Sequence, residues 1–546
     1  MRKFAAMLLA LCLLCGMASA FAESTTTALG VVNTQYGDMQ GVSGETYSNV
    51  TIFKGVPYAT PPVGDLRWTA PVDPQPWEGV RTFDTYAPAA MQPVYVDMIM
   101  SPDSQWGEFY PYGAPDQSED CLYLNIATSA TTGDEKMPVL VWFHGGGYSH
   151  GYSYEEEFNN EELANKDIIV VTVGMRLNAF GLLSLPQLSA ESSYGGSGNY
   201  TIMDCCKALE WVYENIAAFG GDPERITIGG QSGGNSKVTA TLTSPLSEGM
   251  IYGCYNMSSL NPYATYISQE EAEQRGLEFI AQLGYDENST LEELRAIPAE
   301  DIIEAMGDSN SLPIYSVCID GYSITTSPID YYFTPGNLDN MNMMYGNVFG
   351  ESGSYEAATA EELFAMLRET YGDELVDKYD LENTMPITDT NVALYNYELK
   401  TREALNRSRL FAAVAERQND NLDIYGFTFG RVTPGAEVGW HSAELWYFFD
   451  SIRDVEWQTV NRPWQVWDYI TADAASTYWA NYIATGNPNG NGLPLWPDCS
   501  GENNYALQFI DYDSSTWDDL TTFDLMTMEY YATNYGLDFE ALDLAQ

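Results

Sequence analysis

Basic residues are scarce in this chain. Only 23 Lys and Arg stand against 77 Asp and Glu among 546 residues, a formal charge of −54. So acidic a surface repels phosphate backbones, which argues against nucleic acid as a partner. The same excess could draw cationic substrates inward, but acids spread over every segment mark no single pocket. Solubility in salty surroundings, where a Debye length of about 8 Å or less screens repulsion, is the plainer reading. Histidine is scarcer still, so any imidazole chemistry falls to His144, His150 or His441. Cysteine is sparse as well: past the first segment remain Cys121, Cys205, Cys206, Cys254, Cys318 and Cys499. They have neither C-x-x-C nor metal-ligand spacing, so no metal site is expected and spacing predicts no bridge. After residue 22 no run approaches eighteen apolar residues, so no membrane span is expected.

The opening residues have the pattern of a secretory signal. Arg2-Lys3 precedes an apolar run from Phe4 to Met17, and Ala20-Phe21-Ala22 offers a small-residue cleavage site. A lipid anchor at Cys15 is the alternative, disfavoured because Leu14 stands where a small residue is expected. The mature chain, 23–546, is therefore expected to be soluble and exported. Removal of Arg2 and Lys3 leaves 21 bases against 77 acids, or −56. With 45% apolar and 13% aromatic residues, the chain can fill a large core.

The organising stretch is Arg225-Ile226-Thr227-Ile228-Gly229-Gly230-Gln231-Ser232-Gly233-Gly234-Asn235. A β-branched run stops at glycines, turns at one serine and leaves through small residues into Lys237-Val238-Thr239-Ala240. A serine hydroxyl needs such a sharp strand-to-helix turn to stand clear of the backbone near a base and N–H donors. Gly147-Tyr148-Ser149-His150-Gly151 also fits G-x-S-x-G, but no strand runs directly into Ser149. Upstream, Pro138 to Phe143 reads as a strand buried on both faces and ends at His144-Gly145-Gly146-Gly147, an HGGG type of oxyanion loop. Asp167 to Val173 is a further buried strand, and Ala208 to Phe219 an amphipathic helix. Alternation of this kind predicts an α/β fold with a mainly parallel sheet and right-handed crossovers. Early in the chain, Gly30 to Thr34 and Asn49 to Phe53 read as strands, with Gly37 to Gly41 as a turn. Ser268 with Glu271, and Thr359 with Glu362, read as capping boxes of helical cap insertions.

Ser118-Glu119-Asp120-Cys121-Leu122-Tyr123-Leu124-Asn125 resembles a signature of the type-B carboxylesterases, the family that includes cholinesterases and the non-catalytic neuroligins. The resemblance continues to Trp496-Pro497 and implies one α/β-hydrolase domain over 23–546. That fold would have a large, mostly parallel central sheet with helices on both faces. By resemblance, the N–H groups of Gly146, Gly147 and Gly233 would form the oxyanion hole, and Arg176 is expected to pair with Glu119. The cysteine that commonly bridges to the Cys121 position aligns near Ala90, so that bridge cannot form. The loop from Gln92 to Asp120, with Trp106, Tyr110 and Tyr112, should be freer for it.

A serine hydrolase needs one imidazole to take the hydroxyl proton and return it to the leaving group. His144 belongs to the oxyanion loop and His150 reads as pocket wall. His441 remains, late in the chain, in a segment similar to the family's Gly-Ala-x-His-x-x-Glu-Leu. The orienting acid should follow a strand between Ser232 and His441. Met341 to Gly346 is such a strand, and Gly346 to Ser352 resembles the family's triad-acid segment. Glu351 is therefore the choice, with Glu356 and Asp320 as alternatives. Where the family commonly has Glu-Ser-Ala, this chain has Gln231-Ser232-Gly233, a change expected to loosen the turn and to leave an activity that survives at a lowered level. The expectation is an exported serine carboxylesterase for small-molecule esters, needing no metal or organic cofactor. Its rival is a neuroligin-like binding protein on the same fold; the joint presence of serine, histidine and acid argues against it. Oligomeric state does not follow from the residues.

Overall fold

A computed structural model describes residues 27–93, 114–158, 160–258, 260, 262–307, 316–452, 462–499, 507–511, 514–517 and 520–542. The expected leader 1–22 with Cys15, and the loop aromatics Trp106, Tyr110 and Tyr112, lie outside the described residues.

Eleven strands make the central sheet. In chain order they are β1 Val42–Ser43, β2 Thr51–Pro57, β3 Tyr123–Thr128, β4 Met137–Phe143, β5 Ile169–Val173 and β6 Gly221–Gln231. There follow β7 Gly253–Met257, β8 Asn342–Val348, β9 Asp423–Phe429, β10 Leu507–Ile510 and β11 Ser515–Trp517. Their spatial order is β11-β10-β9-β8-β7-β6-β4-β5-β3-β2-β1. Strands β4 to β10 pair in parallel, and antiparallel pairs close both edges.

Strand β4 explains its own sequence. Val139, Val141 and Phe143 point into one core, Leu140 and Trp142 into another, so an unbroken apolar run serves both faces. Helices α1 Tyr200–Asn215 and α2 Gly233–Leu242 bring Leu209, Trp211 and Val238 to the first core. The capped helices α3 Gln269–Gln282 and α4 Ala360–Tyr371 pack into clusters of their own beyond the sheet. The long α5 Val392–Gln418 adds Leu405 and Phe411 to the first core, and α6 Val466–Thr485 covers the opposite face with Tyr478 and Trp479. The hydrolase-like layering expected from the residues is therefore present.

Local expectations fail where a distant side chain intervenes. Gly37–Gln40 is a strand paired with Val31–Thr34, and the turn falls at Gln35-Tyr36. Glycine is needed at 37 because a Cβ there would sit 2.5 Å from the Trp77 ring. The helix expected from Ala208 begins at Tyr200 and is buried on most sides. Ser268 and Thr359 do cap their helices, accepting from the N–H groups of Glu271 and Glu362. Glu362, however, reaches back to the N–H of Ala358 (2.8 Å) and leaves that of Thr359.

Arg176 does not pair with Glu119. Its guanidinium binds Asp204 of α1 through two hydrogen bonds of 2.6 and 2.9 Å, while Arg67 forks onto Glu119. No disulfide joins any of the six cysteines among the described residues. At the place of the missing bridge, Ala89–Ala90 pairs with Gln117–Ser118, and the Gln92 amide exchanges two hydrogen bonds with the Gly151 backbone.

Candidate active site

The crevice at the carboxyl ends of a parallel sheet is where α/β folds place their chemistry. Strand β6 ends at Gln231 and α2 begins at Gly233, leaving Ser232 alone in the bend at φ 57°, ψ −123°. Backbone strain of this kind costs roughly 1–3 kcal/mol and survives only where the surroundings enforce it. Here the Ser232 N–H donates to Met257 O (3.3 Å), and its carbonyl accepts from Ser236 N–H (3.3 Å). Added Cβ atoms at Gly230 and Gly234 would lie 2.4 and 2.1 Å from backbone atoms, so the flanking glycines make room for the bend.

The neighbouring strands deliver the other groups. Beyond the end of β8, Glu351 accepts a hydrogen bond at Oε1 from Val348 N–H (2.9 Å) and meets His441 Nδ1 with Oε2 at 2.7 Å. His441 lies in the connection after β9. With Nδ1–H donating to Glu351, Nε2 is left as the acceptor, and it lies 3.4 Å from Gln231 Nε2 beside the elbow. Among the described residues no hydrogen bond joins Ser232 Oγ to His441. The Gln231 amide holds that side instead, anchored by Ser442 Oγ (3.0 Å) and Ser258 Oγ (2.7 Å).

Two further side chains at this site were not foreseen. Ser258, one residue past the end of β7, donates to Glu351 Oε2 at 3.1 Å and lies 3.4 Å from His441 Nδ1. Its signal was its place at a strand end on the same sheet edge. Glu444 is fully buried, and burial, followed by the nearby Glu351 charge, drives its carboxyl pKa well up.

The residues of the glycine loop after β4 converge on the elbow. Gly146 and Gly147 both take positive φ, 78° and 63°. A Cβ on Gly146 would strike the His150 carbonyl at 2.2 Å, so only glycine fits. Gly233 fits for a related reason: a Cβ there would meet Gly147 N and O at 2.3 Å. Its glycine therefore lets the loop come close, where a looser turn had been expected. Buried beneath the loop, Lys237 of α2 donates to the carbonyls of His144 (3.0 Å), Gly145 (3.4 Å) and Gly147 (2.9 Å).

The competing residues stand elsewhere. Ser149 is buried, its Oγ 2.7 Å from His150 Nδ1 within the loop. Burial and the Lys237 charge keep both nearby imidazoles neutral, His150 at about 4 and His144 well below its ordinary value. Asp320 binds the N–H groups of Tyr322 and Ile324 (2.9 Å each) and organises its own turn; Glu356 accepts from Ser354 Oγ. Among the described residues no cluster of three or more His, Cys, Asp or Glu could hold a metal ion, and no helix is long and apolar enough to cross a membrane.

A parallel sheet with a strained serine elbow at the end of one strand, and an imidazole–carboxylate pair beside it, defines the α/β-hydrolase class. Comparison with known proteins narrows this. The model of the carboxylesterase family matches residues 28–522, and the chain belongs to that family. It is 32% identical over 482 residues to a fumonisin B1 esterase of Sphingopyxis macrogoltabida, covering 86% of this chain and 84% of that one. It is 28% identical over 498 residues to a para-nitrobenzyl esterase of Bacillus subtilis, covering 87% and 94%. Among solved structures, a PNB esterase superposes with TM-score 0.72 at 25% identity over 91% of this chain and 99% of that one. A Geobacillus stearothermophilus carboxylesterase gives 0.71 at 29%, also over 91% and 99%. The chain is accordingly a carboxylic ester hydrolase.

Proposed function

We propose that the chain is an exported serine carboxylesterase in which Ser232 is the nucleophile, His441 the base and Glu351 the orienting acid. Ser232 Oγ bonds to the acyl carbon while His441 Nε2 takes its proton and the carbonyl electron pair moves onto oxygen. The N–H groups of Gly146, Gly147 and Gly233 receive that oxyanion; one such donor is typically worth roughly 3–4 kcal/mol of barrier. Collapse breaks the ester C–O bond, and the alcohol departs with the proton from His441. Water then gives a proton to His441 and attacks the acyl-enzyme. A second collapse frees the carboxylic acid and restores the Ser232 hydroxyl. No metal or organic cofactor enters this scheme.

The observation that carries the reading is the 2.7 Å hydrogen bond from His441 to Glu351, with the opposite ring nitrogen turned to the elbow, 3.4 Å from Gln231. A small-molecule ester as substrate is supported by relatives named for fumonisin B1 and para-nitrobenzyl esters. A single domain over 23–546 is supported by one sheet whose strands run from Val42 to Trp517. Export rests on the leader pattern of residues 1–22. The test is Ser232→Ala: it should abolish hydrolysis of a short acyl nitrophenyl ester and labelling by a fluorophosphonate. Unchanged turnover in that variant would rule the assignment out.

A further inference from the structure

A lysine sealed inside a protein is costly, and in this chain lysines and arginines are few. Lys237 is nonetheless fully buried. All three of its hydrogen-bond partners are carbonyls of one loop, those of His144, Gly145 and Gly147. The ring of Tyr148, also in that loop, lies 5.5 Å from Nζ. The site thus holds a cation with three donors against a strip of backbone acceptors.

Peptide geometry gives this arrangement a consequence. In a trans peptide the carbonyl and the N–H of the next residue point in opposite directions, and the chain has no cis peptide among the described residues. Drawing the Gly145 carbonyl down onto Lys237 therefore turns the Gly146 N–H the other way. The adjoining peptide is fixed from within the loop, since the Gly146 carbonyl accepts from the N–H groups of Ser149 and His150, both at 3.2 Å. That sets the Gly147 N–H in turn. With glycine at both positions and positive φ at each, backbone preference does not hold these planes; at the Gly145 carbonyl the hold comes from Lys237 (3.4 Å) together with the His144 ring, whose Nδ1 lies 3.1 Å away.

The geometry points to Lys237 as a positioning residue of the oxyanion loop: its charged amine, clamped under three carbonyls, orients the Gly146 N–H that receives the reacting oxygen and adds positive charge beneath the loop. The inference rests on the proposed roles of Gly146 and Gly147. It makes catalysis depend on the protonation of a group that never touches substrate. The charged amine has three N–H donors for three carbonyls, whereas the neutral amine has two and no charge. Burial pushes the Lys237 pKa down to about 8. The groups facing it are Glu155 and Cys205, which favour its charge, and the neutral imidazoles of His144 and His150. The protonated, working form therefore prevails below about pH 8 and is lost above it.

The test compares wild type, Lys237→Met and Glu155→Gln with a soluble alkyl ester from pH 6 to 9.5, following acid release by chromatography. Wild type should lose kcat in a one-proton step near pH 8. Lys237→Met should be about 10- to 100-fold slower at pH 7, as expected for misplaced oxyanion donors, with KM within twofold and no alkaline step. Glu155→Gln should keep the step, which assigns it to the lysine. A Lys237→Met enzyme within twofold of wild-type kcat, or one that keeps the step, would overturn the inference. If that variant does not fold, a wild-type kcat flat to pH 9.5 overturns it alone. Ser232→Ala run alongside separates the two levels. Residual turnover there defeats the nucleophile assignment, whereas an inactive Ser232→Ala with an unchanged Lys237→Met defeats only the role of the lysine.

Discussion

Gly233→Ala offers a sharp test of the site because opposing effects can be weighed. Gly233 does not have positive φ, so alanine meets no conformational bar, and alanine is what the resemblance to the type-B family leads one to expect here. As the first residue of α2 it would gain up to about 1 kcal/mol of helix propensity. Against this, its Cβ would lie 2.3 Å from Gly147 N and O and 2.4 Å from Gly147 Cα, all of them backbone atoms. Normal contact is about 3.5 Å or more, so the glycine loop must retreat by roughly 1 Å. Overpacking of this kind costs about 1–3 kcal/mol, which leaves a net destabilisation of no more than about 3 kcal/mol in urea unfolding. A 1 Å misplacement of catalytic groups costs about 10²-fold in rate, or about 2.7 kcal/mol of barrier, which appears in kcat while the protein stays folded. The expected outcome is a folded enzyme with kcat down about 100-fold and KM little changed, measured on a nitrophenyl acetate. A kcat within twofold of wild type would show that Gly147 does not press against this position, and the close-approach account of the glycine would be wrong.

Two predictions concern stability. Asp204→Asn strips the buried Arg176 of its anion and should cost about 3–5 kcal/mol in urea unfolding; Glu119→Gln, whose partner is Arg67, should leave the Arg176 site intact. Glu155 is buried and its carboxyl is pushed up to about 8, so its proton is held more tightly folded than unfolded. Its contribution is complete below about pH 4.5 and is lost as pH rises through 8, at up to about 1.4 kcal/mol per pH unit. Glu155→Gln keeps an oxygen for the Tyr152 N–H and removes that loss. Its melting temperature should therefore exceed that of wild type increasingly from pH 5 to pH 8.5, and a constant difference would refute the assignment.

The residues point to the proposed site wherever function demands an unusual local pattern. A serine in a strained bend needs small neighbours, an oxyanion loop needs glycines, and three histidines left His441 by elimination. Glu351 followed from resemblance, since 77 carboxylates are too many for elimination. What stayed hidden depends on contacts between distant segments. Arg176 chose Asp204 over Glu119 because α1 starts at Tyr200, about two turns earlier than its apolar spacing suggested, and so brings Asp204 beneath the guanidinium. Ser258 is an ordinary serine until β7 is placed between β6 and β8. Lys237 reads as a helix starter, and only the packing of α2 under the glycine loop reveals what its amine holds.

The order of the strands has a consequence for the chain while it is being made. Gln231 and His441 stand 210 residues apart, so at about 5–20 residues per second the ribosome emits the elbow roughly 10–40 s before the imidazole. Through that interval the nascent polypeptide can build its first strands and expose the serine, yet lacks the partner that would make the hydroxyl reactive. On the proposed roles of Ser232 and His441, a truncated or stalled product would be inert toward esters.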